Sequence, residues 1–341
     1  MSKLIRSALA LGALLLAFML PPAVLAAQGK LEKLRVEGAS LKGNLQGNDA
    51  TRDVWVYMPP SYSKGRKRYP VVYFLHGYAV TADVYVNDVL KIPAATDEAM
   101  SKGTPEFIIV MPDAFTRFGG SWYSSSPTIG DWETYISREV VGYIDSHYRT
   151  IAKREGRGLA GHSMGGYGTL RVAMKNPQVF GAFYAMSSAT LLTAPNAEAS
   201  KTQLARMTPE LRSEPRKSEN GTQAQASAWA PNPQNPPWFF DLPFDAEGKA
   251  LPLVAEKWAA NSVLVTVDQN VTALKSFSGI ALDVGDADGL KAGNQQLSDS
   301  LKRLGVAHTF EIYEGTHGNK VGARFIENVL PFFAKHLAAK K

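Results

Sequence analysis

At positions 158–168 the chain reads GLAGHSMGGYG, and this stretch decides the fold. It places Ser163 between Gly161 and Gly165, in the pattern Gly-x-Ser-x-Gly. In a nucleophile elbow of this pattern a strand ends, the chain reverses sharply and a helix begins, which exposes the serine hydroxyl on a strained turn. A Cβ at either glycine would meet the neighbouring strand and helix. The apolar residues before the pattern and the helical stretch 169–174 after it favour an elbow over an ordinary turn.

The composition bounds the class of protein. The chain has 341 residues, of which 45% are hydrophobic, enough for one large α/β domain or two small ones. It contains no cysteine, which excludes disulfides, thiolate metal sites and a cysteine nucleophile. The basic cluster at 64–68 lies between two expected strands and is interpreted as a solvated turn. Nucleic acid is therefore not an expected partner.

Residues 1–26 have the pattern of a cleaved secretory signal peptide. Lys3 and Arg6 precede an apolar run at 8–20, and the small residues of 24–26 suit cleavage before Ala27. The run is short for a bilayer span, which takes about 20 residues, and two prolines follow it. We therefore expect no stable membrane anchor after cleavage, and export to a bacterial periplasm or to the exterior.

Residues 27–341 are predicted to form a single α/β catalytic domain. Apolar runs such as 70–75 and 107–111 indicate strands buried on both faces, and they alternate with helical segments. This rhythm predicts a doubly wound, mostly parallel sheet with helices on both faces. It breaks over 190–276, which is predicted to be a lid-like insertion before the strand that carries the acid. Within the insertion, 218–226 is expected to be flexible and 257–275 helical.

A serine nucleophile needs a base and an acid, in the chain order serine, acid, histidine. His317 stands in a short loop between the last expected strand and the last expected helix, where the base belongs. Asp286 and Asp288 follow the preceding strand, and either could orient the imidazole. Asp288 is preferred because a turn is needed to swing the carboxylate toward His317, and Asp286 remains the alternative. No metal site is predicted.

The oxyanion hole needs two backbone N–H groups. Met164 follows the nucleophile at a helix N-terminus and would supply one. The second is expected from Gly77 or Tyr78, which follow the strand at 71–75. Trp122 and Tyr123 are candidates for the wall of a substrate pocket, although they could equally be packing aromatics.

With these parts in order, the chain resembles the α/β-hydrolase superfamily, and more narrowly the putative-esterase branch with esterase D, feruloyl esterases and antigen 85-like mycolyltransferases. The resemblance covers about residues 50–190 and 277–337. The motifs that carry it read YFLHG at 73–77, GSWYS at 120–124, GHSMGG at 161–166, GDAD at 285–288 and EGTH at 314–317. In that branch the acid falls at Gly-x-x-Asp, which favours Asp288.

The resemblance implies a serine carboxylesterase that works through an acyl-enzyme and needs no cofactor, and the signal-peptide pattern predicts that it is exported. Its substrate would be a small-molecule or carbohydrate-linked ester. S-Formylglutathione is disfavoured, because an exported enzyme leaves the cytosolic thiol pool. Two alternatives stay open: acyl transfer of the mycolyltransferase type, and a non-catalytic binding protein on a hydrolase scaffold.

Overall fold

The computed structural model describes residues 28–190, 201 and 221–337. The predicted signal peptide at 1–26 lies outside the described residues, as do 191–200 and 202–220 of the predicted insertion. No helix within the described residues is long and apolar enough to cross a membrane.

A mostly parallel sheet of eight strands organises the described residues. The strands are β1 Lys30–Glu37, β2 Thr51–Met58, β3 Val71–Leu75, β4 Ile108–Pro112, β5 Ser125–Ser126, β6 Gly130–Asp131, β7 Arg157–His162, β8 Ala182–Met186, β9 Gly279–Gly285 and β10 Thr309–Tyr313. The strand order in the sheet is β1-β2-β4-β3-β7-β8-β9-β10, and β5 and β6 form a separate antiparallel ribbon. Within the eight-stranded sheet, β2 pairs antiparallel with β1 and with β4, and the other neighbours are parallel.

Helices flank the sheet between the strands. Three of them include a π-helical stretch, at Tyr85–Val89, Tyr135–Val140 and Phe325–Val329. The α-helical segments are α1 Ala82–Val84, α2 Ala94–Ser101, α3 Trp132–Thr134, α4 Val141–His147, α5 Met164–Lys175, α6 Gly221–Trp229, α7 Pro252–Ala259, α8 Val263–Thr266, α9 Val271–Lys275, α10 Lys291–Arg303, α11 Val321–Arg324 and α12 Leu330–His336. Single turns of 3₁₀ helix lie at Ala39–Leu41, Pro60–Lys64, Arg154–Gly156 and Val267–Asn270.

The central strand β3 is buried along its whole length. Because side chains alternate along a strand, Tyr73 and Leu75 pack into one hydrophobic cluster while Val72 and Phe74 pack into another. Helices α5 and α10 contribute to the first cluster, and α12 contributes to the second. The predicted doubly wound sheet with helices on both faces is confirmed.

Two expectations for the insertion were wrong in detail. Residues 221–226, expected to be flexible, belong to α6, and Ala224 and Ala226 in it are almost fully buried. Glutamine is polar and alanine only weakly apolar, so the sequence of this segment gives little sign of burial. The alanines are buried because α6 packs into the same hydrophobic cluster as the β3 side chains Tyr73 and Leu75. The helix predicted over 257–275 starts earlier, at Pro252, and is divided into α7, α8, a 3₁₀ turn and α9.

Candidate active site

Ser163 lies at the turn between β7 and α5. Its backbone has φ 61° and ψ −115°, a left-handed conformation that a residue with a side chain rarely adopts. Such strain is kept only where the surroundings hold it, and it is common at functional sites. The amide of Ser163 donates to the carbonyl of Met186, and the carbonyl of Ser163 accepts from the amide of Tyr167.

The glycines around Ser163 let the turn lie directly on the sheet. A Cβ added to Gly165 would lie closer than 3.0 Å to the carbonyl oxygen of Leu75, at the end of β3. A Cβ added to Gly161 would come equally close to the carbonyl of Gly165. At Gly166 it would be 2.8 Å from the carbonyl oxygen of Met186. Each neighbour is backbone, which cannot rotate away, so the elbow requires glycine at these positions.

The structure brings Ser163, His317 and Asp288 into one chain of hydrogen bonds. Nε2 of His317 is 2.8 Å from Oγ of Ser163, and Nδ1 of His317 is 2.8 Å from Oδ2 of Asp288. The His317 side chain is 43% exposed, whereas that of Asp288 is 1% exposed. The His317 part of this series of hydrogen bonds is therefore open to a substrate, and its Asp288 end is closed to water.

Asp288 is held as a buried carboxylate. Burial alone would raise its pKa, but hydrogen bonds from His317 and from the amide of Leu290, at 2.8 Å, outweigh it, so the pKa lies below the usual value. Asp286, the alternative acid, has a different place. It is exposed, and its Oδ1 accepts a hydrogen bond of 2.9 Å from the amide of Gly315. Asp286 thus braces the loop that carries His317 and does not contact the imidazole.

The two segments expected to form the oxyanion hole meet beside Ser163. Met164 is the first residue of α5. A Cβ on Gly77 would lie 3.5 Å from Cβ of Ser163, so the chain after β3 passes very close to the nucleophile. The same Cβ would lie 2.7 Å from the hydroxyl of Tyr85, which also packs closely against Gly77. Gly77 and Tyr78 both stay candidates for the second donor.

Trp122 and Tyr123 lie in different environments. Trp122 is 6% exposed and stacks on the ring of Tyr78, with ring centroids 6.3 Å apart. Tyr123 is 0% exposed, and its hydroxyl donates to the carbonyl of His76 at 3.0 Å. Tyr123 therefore packs beneath the site and does not line an open pocket, whereas Trp122 belongs to the aromatic surroundings of the oxyanion segment.

His162 contacts the site in a way that was not predicted from the sequence. Its Nε2 is 2.7 Å from the carbonyl oxygen of His317, and its Nδ1 is 2.7 Å from the hydroxyl of Tyr85. The one available signal was the position of His162 at the end of β7, directly before the nucleophile. Its partner Tyr85 is 77 residues distant in sequence and carries no local signal.

Among the residues that the structure describes, no group of three or more histidine, cysteine, aspartate or glutamate side chains is placed to hold a metal ion.

The sequence matches the model of one known protein family over most of its length. The sequence model of a family described as "Putative esterase" matches residues 48–329, which is most of the chain. The chain belongs to this family. The matched range contains every residue of the hydrogen-bonded chain, from Ser163 to His317.

Curated relatives match over a shorter range. An esterase of Mycobacterium tuberculosis is 37% identical over 139 residues, which cover 39% of this chain and 27% of that protein. A protein of Xylanibacter ruminicola named endo-1,4-beta-xylanase/feruloyl esterase is 29% identical over 145 residues, covering 40% of this chain and 19% of that protein. The match thus spans about a quarter or less of the length of these two relatives.

Solved structures share the fold over nearly the whole chain. A ferulic acid esterase superposes with a TM-score of 0.64 at 22% identity, covering 91% of this chain and 99% of that one. An S-formylglutathione hydrolase from Agrobacterium tumefaciens superposes with a TM-score of 0.60 at 18% identity, covering 92% of this chain and 97% of that one. These likenesses establish the α/β-hydrolase fold.

Proposed function

We propose that this protein hydrolyses carboxylic esters through an acyl-enzyme formed on Ser163. The observation that carries the proposal is the unbroken chain of hydrogen bonds from Asp288 through His317 to Ser163, at a strained elbow. A serine hydroxyl is a weak nucleophile, and a base with an orienting acid is what activates it. Membership of the esterase family supports the same reaction class.

The hydrogen-bond partners determine which nitrogen of His317 carries the proton. Asp288 is ionised at neutral pH because its pKa lies below the usual value, so its carboxylate can only accept. Nδ1 of His317 must then donate to Asp288, which leaves Nε2 of the neutral ring as an acceptor facing Ser163. This is the tautomer that can remove the hydroxyl proton.

The reaction then proceeds in two halves. Oγ of Ser163 bonds to the ester carbonyl carbon while its proton moves to Nε2 of His317, and the carbonyl oxygen becomes an oxyanion. The amide of Met164 and that of Tyr78 or Gly77 would stabilise this charge. Loss of one such donor lowers kcat by about 10²- to 10³-fold. His317 returns the proton to the departing alcohol. Water, activated by His317, attacks the acyl-enzyme and releases the acid.

The names of the relatives suggest which ester substrates to test first. One of them is named a feruloyl esterase, and a ferulic acid esterase shares the fold. The partly exposed ring of Tyr78, with the buried ring of Trp122 stacked on it, supplies an aromatic surface in the oxyanion segment, which suits an ester with an aromatic or long acyl group. We therefore include a feruloyl ester in the test together with simple aliphatic esters.

The test is hydrolysis of p-nitrophenyl esters of increasing acyl length, together with methyl ferulate, by the purified protein and by Ser163→Ala. Ser146→Ala, which changes an exposed serine in α4, is the matched control. Turnover by the wild type and the control but not by Ser163→Ala would support the proposal. Equal rates for Ser163→Ala and the wild type would contradict it.

Product analysis with added alcohols separates hydrolysis from acyl transfer, which would give a transesterified product in excess of free acid.

We also propose that the protein is exported, on the basis of the signal-peptide pattern at 1–26. Expression of the full chain in a bacterial host, followed by fractionation and intact-mass measurement, tests this. A protein that begins at Ala27 in the periplasm or medium is expected. A full-length protein confined to the cytosol would contradict export.

A further inference from the structure

We propose that His162 and Tyr85 form a relay of positioning residues that anchors the backbone of His317 and ties it to the segment after β3. The inference rests on the proposed function, because it assigns a task within the same site. The hydrogen bonds of neither residue reach the reacting atoms, and the ring of His162 also packs against the imidazole of His317, with ring centroids 4.7 Å apart. Their effect would be to hold the imidazole of His317 in place while its own hydrogen bonds change.

The direction of each hydrogen bond follows from the partners. The carbonyl oxygen of His317 can only accept, so Nε2 of His162 carries the hydrogen. A neutral imidazole has one N–H, which makes Nδ1 of His162 an acceptor, and the hydroxyl of Tyr85 must donate to it. The neutral ring is consistent with its burial, since His162 is 5% exposed.

The Tyr85 end of the relay packs against the oxyanion segment. The Tyr85 hydroxyl lies directly against Gly77. A Cβ on Gly77 would lie 2.7 Å from this hydroxyl, so glycine is what permits the close approach. One path of hydrogen bonds therefore joins Tyr85, His162 and the carbonyl of His317, and its Tyr85 end is in close contact with Gly77. It connects the loop that carries the base to the segment that would supply an oxyanion donor.

A backbone anchor is needed because of where His317 lies. It stands in a loop, and its side chain is 43% exposed. Its two side-chain hydrogen bonds, to Ser163 and Asp288, are those that strengthen, weaken or transfer a proton during the reaction. The bond from His162 to the His317 carbonyl takes no part in that proton transfer and can stay intact throughout. A misplacement of 1 Å at a catalytic group can cost about 10²-fold in rate.

The variants separate the two ends of the relay. Asn at 162 would place its amide near the position of Nδ1 and lose the donor to His317, whereas Gln can place an N–H near the position of Nε2. We expect His162→Asn to lower kcat by about 10- to 100-fold, with KM changed by less than about threefold. His162→Gln should recover most of that loss. Tyr85→Phe, which removes only a hydroxyl, should show a smaller decrease in kcat.

Tyr57→Phe is the matched control. Tyr57 is also buried, and its hydroxyl donates to Asp97 at 2.6 Å, in a part of the molecule outside the relay. Tyr57→Phe should lower the melting temperature in the same way as Tyr85→Phe while leaving kcat unchanged. Equal kcat values for Tyr85→Phe and Tyr57→Phe, together with wild-type kcat in His162→Asn, would overturn the relay.

A second measurement tests the relay independently of which ester the protein hydrolyses. The rate at which a fluorophosphonate modifies Ser163 depends on the Ser163–His317 pair but not on which ester the protein accepts. Failure of the proposed esterase activity would appear as a wild type that is inactive on the ester series. Failure of the relay would appear as His162→Asn and Tyr85→Phe that are phosphonylated as fast as the wild type. A slower rate in both variants, restored in His162→Gln, supports the relay.

Discussion

At the scale of single residues, two aspartates two positions apart have different tasks. Asp288 is buried against His317, and Asp286 braces Gly315 from the surface. An asparagine at 288 could donate to Nδ1 of His317 and so favour the wrong tautomer, in which Nε2 carries a hydrogen toward Ser163. The carboxylate at 286 only accepts from an amide, which an asparagine oxygen can also do.

We therefore expect Asp288→Asn to lower kcat by about 10³- to 10⁴-fold and Asp286→Asn by less than about threefold. Steady-state kinetics on the best ester of the series, with melting temperatures to confirm folding, measure both. The reverse ranking would show that the carboxylate at 286 supports the base.

A second residue-scale prediction concerns His162 and pH. Burial, together with the nearby His317, lowers the pKa of His162 from 6.5 to about 4. Between these values the unfolded chain binds a proton that the folded chain rejects, so stability falls as the pH decreases through this window. The loss on going from pH 7.5 to pH 5 is about 2 kcal/mol for this residue. Burial also lowers the pKa of His76, which adds to the loss in the same direction.

Urea unfolding at pH 7.5 and pH 5 measures the sign of this change in stability and tests whether His162 causes it. The free energy of unfolding of the wild type should fall more between the two pH values than that of His162→Gln, which has no titrating group at this position. The part contributed by His76 should remain in the variant. An identical loss in both proteins would show that His162 is protonated in the folded state at pH 5.

At the scale of elements, the elbow depends on contact between α5 and β3. Gly165 has no room for a methyl group because the carbonyl of Leu75 occupies the space, while Gly142 in α4 has nothing within 4 Å of the position of its Cβ. Gly165→Ala should lower the free energy of unfolding by at least about 3 kcal/mol, since backbone atoms must move. Gly142→Ala should raise it by roughly 0.5–1 kcal/mol, since alanine is the better helix former.

Chemical denaturation of the two variants makes the comparison, and both change a helical glycine to alanine. A Gly165→Ala protein as stable as the wild type would mean that α5 can shift away from the end of β3. In that case steric contact with β3 would not be the reason for glycine at this position of the motif.

The elements also show what a sequence can predict. Strand β3 was recognisable because five consecutive apolar residues leave no polar face. The position of His317 beside Ser163 could be predicted because chain order and a short loop after the last strand leave few places for a histidine base. Tyr85 was not, since a single tyrosine on a helix has no pattern that reveals a partner 77 residues away. Helix α6 was mistaken for a flexible segment because small residues pack as well as large ones when another element covers them.

At the scale of the whole molecule, the described part of the insertion packs onto the body through Trp229. Its ring contacts those of Trp122 and Tyr167, with centroids 5.0 Å and 5.7 Å away, and its Nε1 donates to Oγ of Ser124 at 3.1 Å. Trp258, in α7, packs on it from within the insertion, with ring centroids 5.6 Å apart. One aromatic cluster thus includes side chains from both parts.

This packing predicts that α6 and α7 unfold together with the sheet and not before it. Trp229→Ala should lower the free energy of unfolding by about 3–5 kcal/mol, because a large buried ring leaves a cavity. In urea, the wild type should show one transition, with tryptophan fluorescence and far-ultraviolet circular dichroism changing at the same denaturant concentration. If fluorescence changed first, and Trp229→Ala altered only that early transition, the insertion would be a separate folding unit. A single transition that moves as a whole in Trp229→Ala would mean that α6 and α7 are as stable as the sheet that carries Ser163.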